Sequence, residues 1–187
     1  MPASDAQLLA AVHRGDAAAA RELWRRHGAR LVAYARTLVR DRSGADDVVQ
    51  SALCRVLRLD RRTLARVEDG SAWLTRLVRH EALNHLRAAR RERARSAALS
   101  ASNAGPETPP SGADEALHAA VDRLCRRLRE VVVLKHVAGM TFDQIGVALG
   151  LSRNTAAARY RRAIAMLRES LDAPDAPPTK EVSHGSA

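Results

Sequence analysis

Apolar residues recur at three- and four-residue intervals through two long blocks, 4–93 and 115–171, and no strand-like alternation survives in either. Between the blocks, residues 96–114 are small and turn-forming with no apolar period, which predicts a flexible linker. Residues 172–187 have the same character and read as a disordered tail. The expected fold class is all-α: two small helical domains at 5–93 and 115–171, joined by a flexible linker over 94–114. The second domain carries a helix-turn-helix.

Capping residues place the first helices. Ser4 with Gln7 forms a capping box, and Gly15–Asp16 closes that short helix and caps the next. The second helix runs to about Val39 with Leu23, Leu31, Ala35 and Leu38 near one face. Ser43 is expected to cap a third helix ending near Leu59, and the segment from Leu59 to Gly70 has no clean period and reads as a loop. A long helix then starts at Asp69 or Ser71 and reaches about Arg93. At about 100° per residue, Leu74, Val78, Ala82, His85, Leu86 and Ala89 share one side of it. Arg76, Arg79, Leu83, Arg87 and Arg90 gather on the other, followed by Arg91, Arg93 and Arg95. A solvated face normally mixes signs, whereas this one is almost purely positive and self-repelling, so it is assigned to phosphate contact.

The second block ends in a stronger pattern. Thr141 with Gln144 opens a two-turn helix that stops at Gly150, and Ser152 caps a helix running to about Leu171. Two helices joined by a short glycine-containing turn are the geometry of DNA-binding helix-turn-helix units. Ile145, Leu149, Leu151, Ala156, Tyr160, Ala163 and Leu167 pack it. Asn154, Ala157, Ala158, Arg161 and Arg162 face outward, with Arg153 at the tip and Arg159 at a flank.

Composition agrees with this picture and excludes others. The chain has 31 basic and 21 acidic residues for a net charge of +10, and all but two of the basic residues are arginine. A polyanion is the expected partner, and nucleic acid is the commonest one. Aromatics are only 3% of the chain, too few for a sheet platform that stacks bases. No run approaches the ~20 apolar residues of a transmembrane helix, and no secretory leader opens the chain, so a cytoplasmic protein is expected. Cys54 and Cys125 are too few for a disulfide framework or a thiolate zinc site and are expected to be small buried hydrophobes. His80 and His85 flank Glu81 in a string like that of zinc proteases, but their i, i+5 spacing turns the second by about 140°, so they cannot share a metal. Asp46 and Asp47 lack a partner that would complete a catalytic pair, and no phosphate-cradling loop or serine elbow is present. No catalytic residue, metal ligand or cofactor is expected.

Four strings, in order and split by one linker, resemble the extracytoplasmic-function (ECF) group of the bacterial sigma-70 family over about residues 5–171. They are Gly44–Gln50, Trp73–Arg87, Leu128–Leu134 and the helix-turn-helix. The resemblance implies a non-catalytic specificity subunit of RNA polymerase. Its third helix would dock on the clamp coiled coil of the core enzyme through Asp47 and Gln50, with Asp46, Val49 and Leu53 beside them. The polymerase flap would be a second contact. The loop 60–71 would hold an extruded base of the −10 element. The helix after it would contact DNA through Trp73, Arg76, Arg79, His80, Asn84, Arg87, Arg90 and Arg91, with Trp73 more a core residue than a stacking wedge. Arg153, Asn154, Thr155, Ala157, Ala158, Arg159, Arg161 and Arg162 would face the −35 element, Asn154 and Arg161 toward bases and Arg153, Arg159 and Arg162 toward phosphates. An anti-sigma factor is a further expected partner, able to hold the protein at the inner membrane. The chain departs from the family pattern at Cys125–Arg126, where Pro usually follows the leucine, at Ala157–Ala158, and at Glu81, where an apolar residue is usual. The competing reading is a helix-turn-helix regulator that acts without polymerase.

Overall fold

The structure is a computed structural model that describes residues 3–39, 41–97 and 113–172. Most of the linker and the tail beyond Asp172 therefore lie outside the described residues. Within them, all regular structure is helical: α1 (Asp5–His13), α2 (Ala17–Val39), α3 (Arg42–Arg58), α4 (Arg61–Ala65), α5 (Gly70–Ala97), α6 (Ala113–Arg123), α7 (Arg126–His136), α8 (Phe142–Leu149) and α9 (Arg153–Asp172). No helix among the described residues is long and apolar enough to cross a membrane.

Local chemistry sets the helix starts. The Ser4–Gln7 and Thr141–Gln144 capping boxes both form, and Asp16 accepts from the backbone of Ala18 and Ala19 to start α2. Two expectations are corrected. Asp41, not Ser43, caps α3 by accepting from the Gly44 N–H at 2.6 Å. The segment read as a loop contains α4, because the Asp60 carboxylate takes both the N–H and the hydroxyl of Thr63. Those bonds hold the Asp60 carboxyl below its ordinary range.

In the first half, α2, α3 and α5 pack on one another, with α1 against α2, α3 and α5. The expected faces are the buried ones: Leu23, Leu31, Ala35 and Leu38 on α2, and Leu74, Val78 and Ala82 on α5. Glu81, the odd acidic residue of α5, has a specific partner. Its carboxylate accepts from Arg55 at 2.7 Å and ties α5 to α3.

In the second half, α6, α7 and α8 pack around α9. Helix α7 is unusual in that every residue from Leu128 to Leu134 is buried. Leu128 and Val132 face α9 and α6, while Val131, Val133 and Leu134 join the hydrophobic core of the first half. A helix apolar on most sides must be covered on most sides. From the first half that covering is supplied by α2, and the two halves are packed together through α2–α7 and α5–α8 contacts.

Both cysteines are exposed rather than buried. Cys54 falls on the outer side of α3, and Cys125 sits at the N-cap of α7, where its side chain has nothing to pack under.

Candidate nucleic-acid and protein interfaces

Three surfaces gather the residues singled out from the sequence. On α3, Asp46, Asp47 and Gln50 are exposed in one row. Val49 does not reach that surface: it is 1% exposed and packs in the core with Val48, Ala52 and Val56. Leu53 is half-buried against the same core. The helical angle explains the split, since 45, 48, 49, 52 and 56 share the inner side and 46, 47, 50, 54 and 57 the outer. The outer row ends in Leu57, half exposed, which sequence reasoning missed. Its signal was a leucine seven residues after Gln50 on a face otherwise polar. Beside the row lies an open cleft of about 760 Å³ lined by Gln50, Ser51, Cys54, Arg55, Arg58, Leu59 and Glu81.

On α5 the predicted residues divide between two environments. Trp73 is half-buried and packed on the core. With Arg55, Leu59, Thr63, Arg76, Leu77 and His80 it lines a smaller cleft of about 220 Å³ next to α4. Trp73, Arg76 and His80 are thus brought together. Farther along, Arg87, Arg90 and Arg91 are exposed, and Asn84 accepts from the Arg87 guanidinium at 3.2 Å.

Arg79 departs from the expected free row. It turns toward the second half and donates from Nε to Glu130 of α7 at 3.3 Å. Glu130 is 3% exposed, and its other oxygen lies 3.7 Å from Arg126 Nε. Tyr34 of α2 is buried nearby; burial, reinforced by the charge of Glu130, pushes its phenol well above the ordinary range. A second polar contact joins the halves, with Gln144 Nε2 donating to Asp69 Oδ2 at 2.7 Å. The remaining oxygens of that pair are already employed. Asp69 Oδ1 caps α5 through the Ala72 N–H, and Gln144 Oε1 caps α8 through the Thr141 N–H.

The third surface is the N-terminal part of α9. Gly150, with φ of +69°, ends α8 in the left-handed region that glycine tolerates best. Gly146 allows the turn to close, because a Cβ there would stand 2.7 Å from the Leu151 carbonyl oxygen. Ser152 Oγ then accepts from the Thr155 N–H at 3.1 Å to start α9. Ala156, Ala163 and Leu167 are buried, and Tyr160 is held between Phe142 and His136, whose Nε2 lies 2.9 Å from its hydroxyl. The opposite side presents Arg153, Asn154, Thr155, Ala158, Arg161 and Arg162, all exposed, while Ala157 and Arg159 are half-buried at the edge. Arg153 has a loose ion contact with Asp143 at 3.7 Å, both side chains well solvated. Among the described residues no cluster of three or more His, Cys, Asp or Glu residues is placed to hold a metal.

Comparison with known proteins matches both halves. Residues 23–92 match sigma-70 region 2, and residues 114–167 match sigma-70 region 4. The probable ECF RNA polymerase sigma factor SigI of Mycobacterium tuberculosis is 32% identical over 158 residues, covering 79% of this chain and 53% of SigI. The chain thus spans about half the length of that relative. RNA polymerase sigma factor CarQ of Myxococcus xanthus is 29% identical, covering 80% of this chain and 87% of CarQ. The RNA polymerase sigma-E factor of Streptomyces avermitilis is 32% identical, covering 78% and 80%. Among solved structures, CnrH, in complex with the cytosolic domain of CnrY, is similar with a TM-score of 0.63 at 28% identity, over 90% of this chain and 97% of that one. The sigma factor RpoE of Bartonella quintana, solved with the anti-sigma factor NepR, shares the fold with a TM-score of 0.60 at 24% identity, over 76% and 89%.

Proposed function

The chain belongs to the extracytoplasmic-function group of the sigma-70 family, and from that premise we propose that it directs core RNA polymerase to specific promoters and starts transcription there, as a specificity subunit without catalysis of its own. One observation carries the reading beyond family membership. The same chain exposes an acidic and polar row on α3 and an arginine-rich row on α9, two partner surfaces of opposite sign. Asp46, Asp47 and Gln50 suit an arginine-rich protein helix, and we assign them to the clamp coiled coil of the polymerase, with Leu57 as an apolar neighbour. Arg153, Asn154, Thr155, Arg161 and Arg162 suit the major groove of a −35 element, where base contacts discriminate and phosphate contacts add salt-dependent affinity. The cleft at Trp73, Arg76 and His80, with Arg87, Arg90 and Arg91 beyond it, is assigned to the −10 strand.

An anti-sigma partner belongs to the same proposal, since the similarly folded sigma factor RpoE of Bartonella quintana was solved in complex with the anti-sigma factor NepR. A protein seated across α3 and α9 would cover both rows at once.

The test is run-off transcription from a genomic promoter library with purified bacterial core polymerase, with and without this protein. Discrete starts that require the protein are expected, and they reveal the −10 and −35 sequences together. Tight DNA binding without polymerase and no added transcripts would transfer the chain to the polymerase-independent regulators. The docking surface is tested by Asp47→Arg, which should weaken core binding by about 100-fold, or ~3 kcal/mol, as charge reversal at a desolvated contact does. Retained core binding would move the docking site elsewhere.

A further inference from the structure

Two clefts meet at Arg55. The smaller one, assigned above to the −10 strand, and the larger one beside the docking row share Arg55 and Leu59 as a common wall. Glu81 lines only the larger cleft, and its carboxylate accepts from Arg55 Nη1 at 2.7 Å. Helix α5 has two acids in 28 residues, and Glu81 is the one beside these clefts. A carboxylate in that place repels a nucleic-acid strand unless a cation neutralises it, and Arg55 does so.

The pairing changes what Arg55 presents to a ligand. An arginine held by a carboxylate carries little net charge toward a phosphate, so it adds little counterion release. Its directional donors remain. Nε and Nη2 form no hydrogen bond to the described residues, and the guanidinium is a planar fork. The Arg55 side chain is 44% exposed against 18% for Glu81, so the pair is anchored at its acid end and open at its arginine end. A fixed fork with two free donors matches two adjacent acceptors on one base edge, which guanine has at O6 and N7. The smaller cleft suits a base as well, with Leu59, Leu77 and the Trp73 ring as apolar walls among a few polar groups.

We propose that Arg55, held by Glu81, reads a guanine of the single strand at the mouth of the −10 cleft, and that Glu81 is its positioning residue. This assignment rests on the proposed function, which brings a melted strand to the cleft.

The test uses the full chain assembled with core polymerase. Bubble templates, unpaired and randomised across the −10 region, are bound by the complex, and the retained strands are sequenced. One position should favour guanine about tenfold over the other bases. Replacing that guanine with 7-deazaguanine, which lacks the N7 acceptor, should remove the advantage. Arg55→Ala and Arg55→Lys should lose it at that position alone. Preference is a ratio within one sample, so a lower folded fraction in a variant does not imitate the effect.

Glu81→Leu separates positioning from structural support. Freed from its carboxylate, Arg55 should lose the guanine preference and take a phosphate instead. The slope of log affinity against log salt should then steepen by about 0.7. Glu81→Gln should fall between, because its amide oxygen still accepts from Arg55 but carries no charge.

Uniform weakening of all sequences by Arg55→Ala, with a shallower salt slope, would make Arg55 a phosphate contact and overturn the proposal. So would a guanine preference that survives Glu81→Leu, or one that survives 7-deazaguanine. Run-off transcripts that require the chain, with no guanine position answering to Arg55, would refute this inference and leave the proposed function standing. If no transcript requires the chain, the proposed function fails, and the same library offered to the full chain without core decides whether Arg55 reads guanine.

Discussion

Helices α5 and α9 both carry a row of arginines, and the structure treats the two rows differently. On α9 the row is uniform: Arg153, Arg161 and Arg162 are exposed, and the opposite side is buried under α6, α7 and α8. On α5 the row is divided. Arg76, Arg87, Arg90 and Arg91 are exposed, whereas Arg79 in their midst is half-buried and paired with Glu130. The difference is one of partners. The inner side of α9 is satisfied by its own half of the molecule, while α5 is covered on one side by α2 and α3 and on another by α8 from the second half. A like-charged row along a helix is thus a statement about one face, and the number of faces that a fold covers decides which of its members remain free.

The largest effect on this contrast should come from Gly146→Val. At an ordinary helix position, replacing glycine stabilises. Here a Cβ would meet the Leu151 carbonyl oxygen at 2.7 Å, so the turn that presents α9 must shift. A net destabilisation of about 2–3 kcal/mol is expected in denaturant unfolding, with loss of −35 binding. Unchanged stability would mean that the close approach of α8 to the turn is dispensable.

Next in size, Arg161→Ala should weaken promoter binding by about 1–3 kcal/mol in the polymerase complex, whereas Arg79→Ala should change it less. Arg79 is turned inward to Glu130, so its removal breaks that pair rather than an outward arginine contact. Equal losses from the two substitutions, measured on the same promoter, would erase the distinction between the helices.

A smaller effect separates phosphate from base contacts. Arg162→Ala and Arg90→Ala should each reduce the slope of log affinity against log salt by about 0.9 while leaving promoter preference intact. A changed preference with an unchanged slope would reassign that arginine to a base.

The smallest effect lies away from both rows. Hydrogen bonds from Arg25 and Arg26 hold the Glu22 carboxyl at about 2 against an ordinary 4.5. A carboxyl lowered in the folded state contributes stability that is present above its unfolded value of 4.5 and is lost as the pH falls toward 2. Glu22→Gln should therefore lower stability slightly near neutral pH, with the difference from wild type vanishing toward pH 2. The effect is small because these pairs are exposed to solvent and screened, and neither arginine row should change. A thermal melt series from about pH 6 to about pH 2 that coincides with the wild type throughout would leave the pair without effect.

Much of this protein was legible along the chain. Caps and apolar periods located the inner faces of α2 and α5, both capping boxes and the outward row of α9, because those features are local and obey the helical repeat. Where local reading failed, a competing local bond or a distant neighbour was responsible. Asp60 and Thr63 built α4 from hydrogen bonds that leave no apolar period. Val49 shares a turn with Gln50, yet about 100° of helical rotation puts one in the core and the other on the surface.

The sequence by itself determined the long helices, both capping boxes, the sign of each exposed row and the family to which the chain belongs, though not α4 or the Asp41 cap of α3. Only the tertiary structure decided that Glu130 is buried, that Arg79 answers it, and that Gln144 reaches across to Asp69. The physical reason is separation along the chain: the members of the first pair are 51 residues apart and those of the second 75. A helical repeat carries information over a few turns, whereas a buried charge finds its partner wherever packing brings one within reach.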